Sequence, residues 1–172
     1  MLEKELSFAD LPVPLSEIYE AMGYADAVPD EAVEKEVRGV LGRVEAVTSP
    51  RFCFFISGGE LDESKDSLSV GDTCFSIGKI ITRQLRGSES FAFFAATAGT
   101  GFERFQHTLQ QEGDMVKVYI ADAIGSVIAE KTADCMELRW MNTSATEGGG
   151  IPTVSVPDIA AGMCRSKRNY SL

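Results

Sequence analysis

The stretch Phe91–Leu138, FAFFAATAGTGFERFQHTLQQEGDMVKVYIADAIGSVIAEKTADCMEL, decides the fold. Ser90 to Ala98 is almost continuously apolar, which suits a strand covered on both faces. Thr100 to Gln111 follows with Phe102, Phe105 and Leu109 at helical steps, and Gly113 breaks the pattern. Asp114 then precedes the longest expected element, a helix from Met115 to about Trp140. It is apolar over much of its circumference, so it belongs in the interior. Its polar residues Asp122, Ser126, Glu130 and Asp134 share a four-residue spacing that lines them along one edge. Gly125 lies inside the same helix. Glycine there costs about 1 kcal/mol relative to alanine. It marks either a close approach by another backbone or a ligand, or a harmless substitution.

Upstream, the spacing predicts a short helix over Leu15 to Met22 with Gly23 as its C-cap. Pro29 and Asp30 open a longer helix, whose Val33, Val37, Val40, Leu41, Val44 and Val47 fall on one face. Pro50 ends it, and Arg51 to Ser57 (RFCFFIS) reads as a buried strand. Gly58 to Asp66 reads as a polar loop, Ser67 to Val70 as a strand, and Gly71-Asp72 as a turn. Ile77, Ile80, Ile81 and Leu85 have helical spacing, with Gly87 as cap. Together these elements predict an α+β domain: a mixed β-sheet packed with helices, spanning residues 1–141. Residues 142–172 are expected to be a Gly/Ser-rich loop and a short basic tail (Arg165, Lys167, Arg168) packing on that domain.

Composition narrows the function classes. The chain has 172 residues, 44% apolar and 24% charged, enough for one core. Its net charge of -10 argues against nucleic acid, which is bound through lysines and arginines that neutralise phosphates. Ten of the acids lie in residues 1–36 against Lys4 and Lys35, a solvated surface or a docking face for a basic partner. No apolar run approaches the ~20 residues that span a bilayer. The charged start, Met1 to Asp10, is unlike a secretory signal, so a cytoplasmic protein is expected. Cys53, Cys74, Cys135 and Cys164 form no Cys-x-x-Cys pair, and His107 is the sole histidine, which disfavours a zinc site and a hydrolytic triad.

Two places could carry chemistry. The Thr97–Gly101 step between strand and helix could present backbone N–H groups to an anion, or could be a tight turn between core elements. It lacks the spacing of a dinucleotide fingerprint or a P-loop. The Asp122/Ser126/Glu130/Asp134 edge offers carboxylates to a cation or to acid–base work, or is the helix's solvated stripe.

Three segments together resemble one family: EIYEAMGYADAVPDEAV (Glu17–Val33), GKIITRQLRGSESFAFFAATAG (Gly78–Gly99) and EGDMVKVYIADAIGSVIAEKTAD (Glu112–Asp134). They are similar to small stand-alone proteins related to the activation domain of vitamin B12 (cobalamin)-dependent methionine synthase. The Ala-Ala-Thr-x-Gly step and the Asp-Ala-Ile-Gly-Ser helix are the specific parts. The resemblance implies S-adenosylmethionine binding near Thr97, Gly99, Asp122, Ser126 and Glu130. It also implies docking on a corrinoid-binding methyltransferase protein, with cobalamin held only by that partner, and it leaves homo-oligomerisation open. The role it implies is accessory: reactivation of cobalamin that has lapsed to the cob(II) state, with the cofactors carrying the chemistry. No catalytic constellation of the chain's own is present. The family's Pro-Gly-Tyr motif, which follows its long helix, is absent here. The alternative is therefore a non-catalytic interaction domain that keeps the fold without the S-adenosylmethionine site.

Overall fold

The computed structural model describes residues 1–25 and 27–146, with side-chain surroundings through Glu137. The elements are β1 (Leu2–Glu5), a short 3-10 turn at Phe8–Asp10, α1 (Leu15–Ala21), α2 (Glu31–Val47), β2 (Arg51–Gly58), β3 (Glu60–Asp62), β4 (Ser67–Val70), β5 (Thr73–Ser76), α3 (Gly78–Gln84), β6 (Ser90–Thr97), α4 (Thr100–Glu112) and α5 (Met115–Thr146). The α+β class is as expected.

The strands form two three-stranded sheets, ordered β1-β2-β6 and β3-β4-β5, and every pairing is antiparallel. The expected mixed sheet is corrected on this point. A parallel neighbour needs a crossover across the sheet face. Here the chain instead leaves the end of β2, makes the β3–β5 excursion and α3, and returns as β6 along the full length of β2, from Arg51↔Thr97 to Gly58↔Ser90. Part of the expected Gly58–Asp66 loop is strand β3, and β1 and β5 carried no clear sequence signal. All three are short; β1 and β3 are mostly charged, and β5 has only Cys74 and Phe75 as apolar residues, adjacent rather than alternating.

α5 is the axis of the domain, touching α1, α2, α4, β2 and β6. Ile120, Ala121, Ala123, Ile124, Val127, Ile128 and Met136 are all buried, a band too wide for an amphipathic stripe. Ile18 of α1 and Val37, Val40 and Val44 of α2 close on it from one side. Phe52 of β2, with Phe102, Phe105 and Leu109 of α4, completes the same cluster. Asp30 caps α2 by accepting from Val33 N–H at 2.9 Å. Leu68 and Phe91 are also buried, where the smaller sheet meets the end of the β2–β6 ladder. α5 continues helically through Thr146, so Asn142 to Thr146 belong to it rather than to the expected loop. The rest of that loop and the basic tail lie outside the described residues.

Candidate functional site

The β6–α4 junction is built by sterics. Thr97 is exposed at the end of β6, and its Oγ1 accepts from Gly99 N–H at 3.1 Å. Gly99 precedes α4 with φ 94, a backbone state that disfavours a side chain. A Cβ at Gly99 would collide with the Ser49 main-chain carbonyl, and one at Gly101 with the Val47 carbonyl. Both glycines therefore let the start of α4 lie directly against the chain leaving α2. The first turn of α4 is satisfied in part by Gly99 itself, whose carbonyl accepts from Phe102 N–H at 3.1 Å.

The second set of expected residues lies along α5. Asp122 is exposed and accepts from Gln106 Nε2 of α4 at 3.4 Å. Ser126 is half-buried, and its hydroxyl donates to the Asp122 carbonyl at 3.1 Å, so it bonds back to its own helix. Glu130 is half-buried. Further along, Lys131 is 7% exposed, with Nζ 2.7 Å from Glu17 of α1 and 3.5 Å from Asp134. Burial disfavours its ammonium form, yet Glu17 and Asp134 outweigh that penalty, and the pKa of Lys131 is raised. The carboxylate edge is thus tied to α4 at one end and to α1 at the other. Thr97 and Gly99 are tied instead to the α2–β2 turn.

Gly125 has a specific reason. A Cβ there would lie 2.5 Å from Phe102 Cε1 and closer still to Cζ. An aromatic ring, rather than a backbone or a ligand, occupies the space that the missing methyl leaves.

A concavity lies elsewhere among the described residues. A groove of about 430 Å³ runs between the end of α1, the start of α2 and the start of α5, lined by residues that include Gly23, Tyr24, Val33, Glu36, Val116 and Tyr119. Tyr119 donates from its hydroxyl to the Met22 carbonyl at 2.6 Å. Beside it, Asp114 caps α5 through Lys117 N–H and pairs with Lys117 Nζ at 2.7 Å. That bond holds the Asp114 carboxyl below its ordinary value and raises Lys117. The sequence signal for the groove was weak: Tyr119 reads as packing, and Gly23-Tyr24 as a helix end.

S-adenosylmethionine would need carboxylates for its cationic groups and an enclosed recess for its adenosyl part. Asp122 and Glu130 fit the charge requirement. The Thr97–Gly101 junction does not supply the recess, because the main chain at Val47 and Ser49 fills the space beside its glycines. Among the described residues no group of three or more His, Cys, Asp or Glu side chains could hold a metal ion, and no helix is long and apolar enough to cross a membrane.

No family model and no curated protein matches the chain. Among solved structures it is similar to the crystal structure of the MetH reactivation domain bound to AdoHcy, with a TM-score of 0.53 and 16% identity. The match covers 80% of this chain and 54% of that one, so the chain spans about half the length of this neighbour. The fold anticipated from the three sequence segments is thereby met in three dimensions: the chain has an activation-domain-like α+β fold.

Proposed function

We propose that this chain is an accessory protein of cobalamin-dependent methyl transfer, acting in reactivation by docking on a corrinoid-binding protein. The observation that carries the reading is the fold, shared over 80% of the chain with a reactivation domain crystallised with AdoHcy. In this reading cobalamin stays on the partner, a one-electron reductant from outside the chain would take it from cob(II) to cob(I), and S-adenosylmethionine would supply the methyl group to that state, leaving S-adenosylhomocysteine. The chain's own part is to present Asp122 and Glu130 to a cationic ligand from a largely buried helix, with Thr97 at the β6–α4 junction. Because the junction glycines are occupied by main chain, the partner must contribute walls to the site.

The test is calorimetric titration of S-adenosylmethionine and AdoHcy into the protein, alone and mixed with a corrinoid protein carrying cob(II)alamin. Binding that appears or tightens in the mixture, and weakens in the Asp122→Asn/Glu130→Gln double variant, is the expected result. No heat in either titration, together with no association with the corrinoid protein, overturns the reading.

One observation favours a second reading, an interaction domain without the cofactor. The glycines that carry the family resemblance are explained by packing alone. Association with the corrinoid protein that is indifferent to S-adenosylmethionine and to the double variant would select it.

A further inference from the structure

The groove where the end of α1 meets the starts of α2 and α5 carries apolar surface that the described residues leave uncovered. Val116 and Tyr119 line it and are 63% and 52% exposed. Met115 adjoins them at 69%, and Val28, on the connection from α1 to α2, is 83% exposed. Tyr119 is held by its bond to the Met22 carbonyl, so the groove is formed before anything enters it. Apolar side chains gathered at a concave place mark a contact surface.

The same place is acidic. Glu36 belongs to the lining, and Glu20 and Glu31 lie on the helix ends that form the groove. All three are exposed, and none of their carboxylates has a hydrogen bond or ion pair among the described residues. The cations on the same helix ends are Lys35 and Lys117, and Lys117 is taken by Asp114 at 2.7 Å. An occupant must therefore join apolar side chains to free cations.

One segment of this chain has that chemistry. Ile159–Arg168, IAAGMCRSKR, sets Ile159, Ala160, Ala161 and Met163 before Arg165, Lys167 and Arg168, and no acid follows Asp158. The other acid-free stretch with three such cations, Thr73–Ser88, is already committed to β5 and α3. Reach permits the contact. From Tyr119 to Thr146, α5 runs about 40 Å at 1.5 Å per residue. The chain from Glu147 to Gly162 extends to about 50 Å. A segment tethered over a short length of chain is presented at about millimolar effective concentration, an advantage that no separate partner of the same chemistry has. We infer that Ile159–Arg168 folds back on its own domain, with Met163 in the groove and Arg165, Lys167 and Arg168 over Glu20, Glu31 and Glu36. This contact depends on neither S-adenosylmethionine nor a corrinoid partner. It closes the groove to any outside apolar and basic ligand that does not displace the segment.

The test is NMR of the full chain with labelled methionine methyls, at micromolar protein. Met22 lines the groove, and Met163 lies in the segment. At about 0.1 M salt, the Met163 methyl should show Overhauser contacts to Met22, Val116 or Tyr119. The triple variant Arg165→Glu/Lys167→Glu/Arg168→Glu should lose them, and so should Glu20→Lys/Glu36→Lys. The two sets combined should regain them, because the charges are complementary again. Glu20 and Glu36 are exposed, so far-UV circular dichroism should be unchanged throughout. Salt at about 1 M, where the Debye length is about 3 Å, should weaken the contacts of the unaltered chain. No contact from Met163 to the groove at any salt overturns the inference. Contacts indifferent to both charge reversals also overturn it, as do contacts that isotope mixing shows to run only between separate copies.

Discussion

Gly125→Ala sets two effects of similar size against each other. Alanine in a helix interior is favoured over glycine by about 1 kcal/mol. Against this, the new methyl would sit 2.5 Å from Phe102 Cε1, with Cζ nearer. Carbon atoms prefer roughly 3.5–4.0 Å, so the ring must retreat by about 1 Å. Phe102 is only 7% exposed and packs in the central cluster, leaving it little room to retreat. Overpacking of this kind costs about 1–3 kcal/mol. Overpacking outweighs the gain in helix preference, and the substitution should destabilise by about 1 kcal/mol net. Phe102→Leu removes the ring tip that makes the contact. In that background Gly125→Ala should stabilise by about 1 kcal/mol, so the two sites couple by about 2 kcal/mol. Urea unfolding of the four proteins in the cycle measures this directly, and a change of 1 kcal/mol should move the melting temperature by about 2–4 °C. Stabilisation by Gly125→Ala of equal size in both backgrounds would refute the reasoning, because the glycine would then have no ring to accommodate.

Two further outcomes concern titrating groups. Lys131→Met should cost about 1–3 kcal/mol at neutral pH through the lost charged hydrogen bond to Glu17. Because the Lys131 pKa is raised above its ordinary 10.5, its contribution is fully present below that pH and is lost as pH rises through the folded-state value. The wild-type and Lys131→Met unfolding curves should therefore converge in alkali, and a gap that stays constant would contradict the pairing. The Asp62 carboxyl, held by the Ser64 hydroxyl and then by Lys65, titrates at about 2. Its contribution is present above 3.8 and is lost as pH falls through about 2. Carboxyl NMR should find that midpoint, and Ser64→Ala should raise it. An Asp62 midpoint unmoved in the variant would show that the hydroxyl is not the cause.

The helical scaffold was legible because burial leaves a periodic trace. Val37, Val40 and Val44 mark α2's inward face, and Phe102, Phe105 and Leu109 mark α4's. Three kinds of feature were not legible. β1, β3 and β5 are edge strands whose pairing compensates for weak local preference, and three or four residues without a sustained apolar alternation resemble a loop. The antiparallel return of β6 depends on where an intervening excursion ends, which no local pattern records. The groove at Tyr24, Glu36 and Tyr119 is assembled from three helix ends that are distant in sequence. Periodicity along one element cannot find it. The α5 edge was legible as an edge, but its electrostatics came from elsewhere: Lys131 interrupts it by joining Asp134 to Glu17 of α1.

The same packing explains why fold and ligand separate in this chain. The two most specific parts of the family resemblance are the Ala-Ala-Thr-x-Gly step and the Asp-Ala-Ile-Gly-Ser helix. In the structure the glycine of each, Gly99 and Gly125, lies in one seam. Gly99 and Gly101 admit the main chain at Ser49 and Val47, and the next residue, Phe102, lays its ring over Gly125. Three positions, Gly99, Gly101 and Phe102, thereby lock the start of α4 to the α2–β2 turn on one side and to α5 on the other. A sequence that keeps those residues keeps this three-way junction, whatever it binds. Similarity carried by the seam is therefore strong support for the architecture and weak support for a cofactor. The residues that speak to the cofactor are Asp122 and Glu130, which the seam does not require. Their replacement should leave the fold intact, and that makes them the positions at which binding and folding can be measured apart.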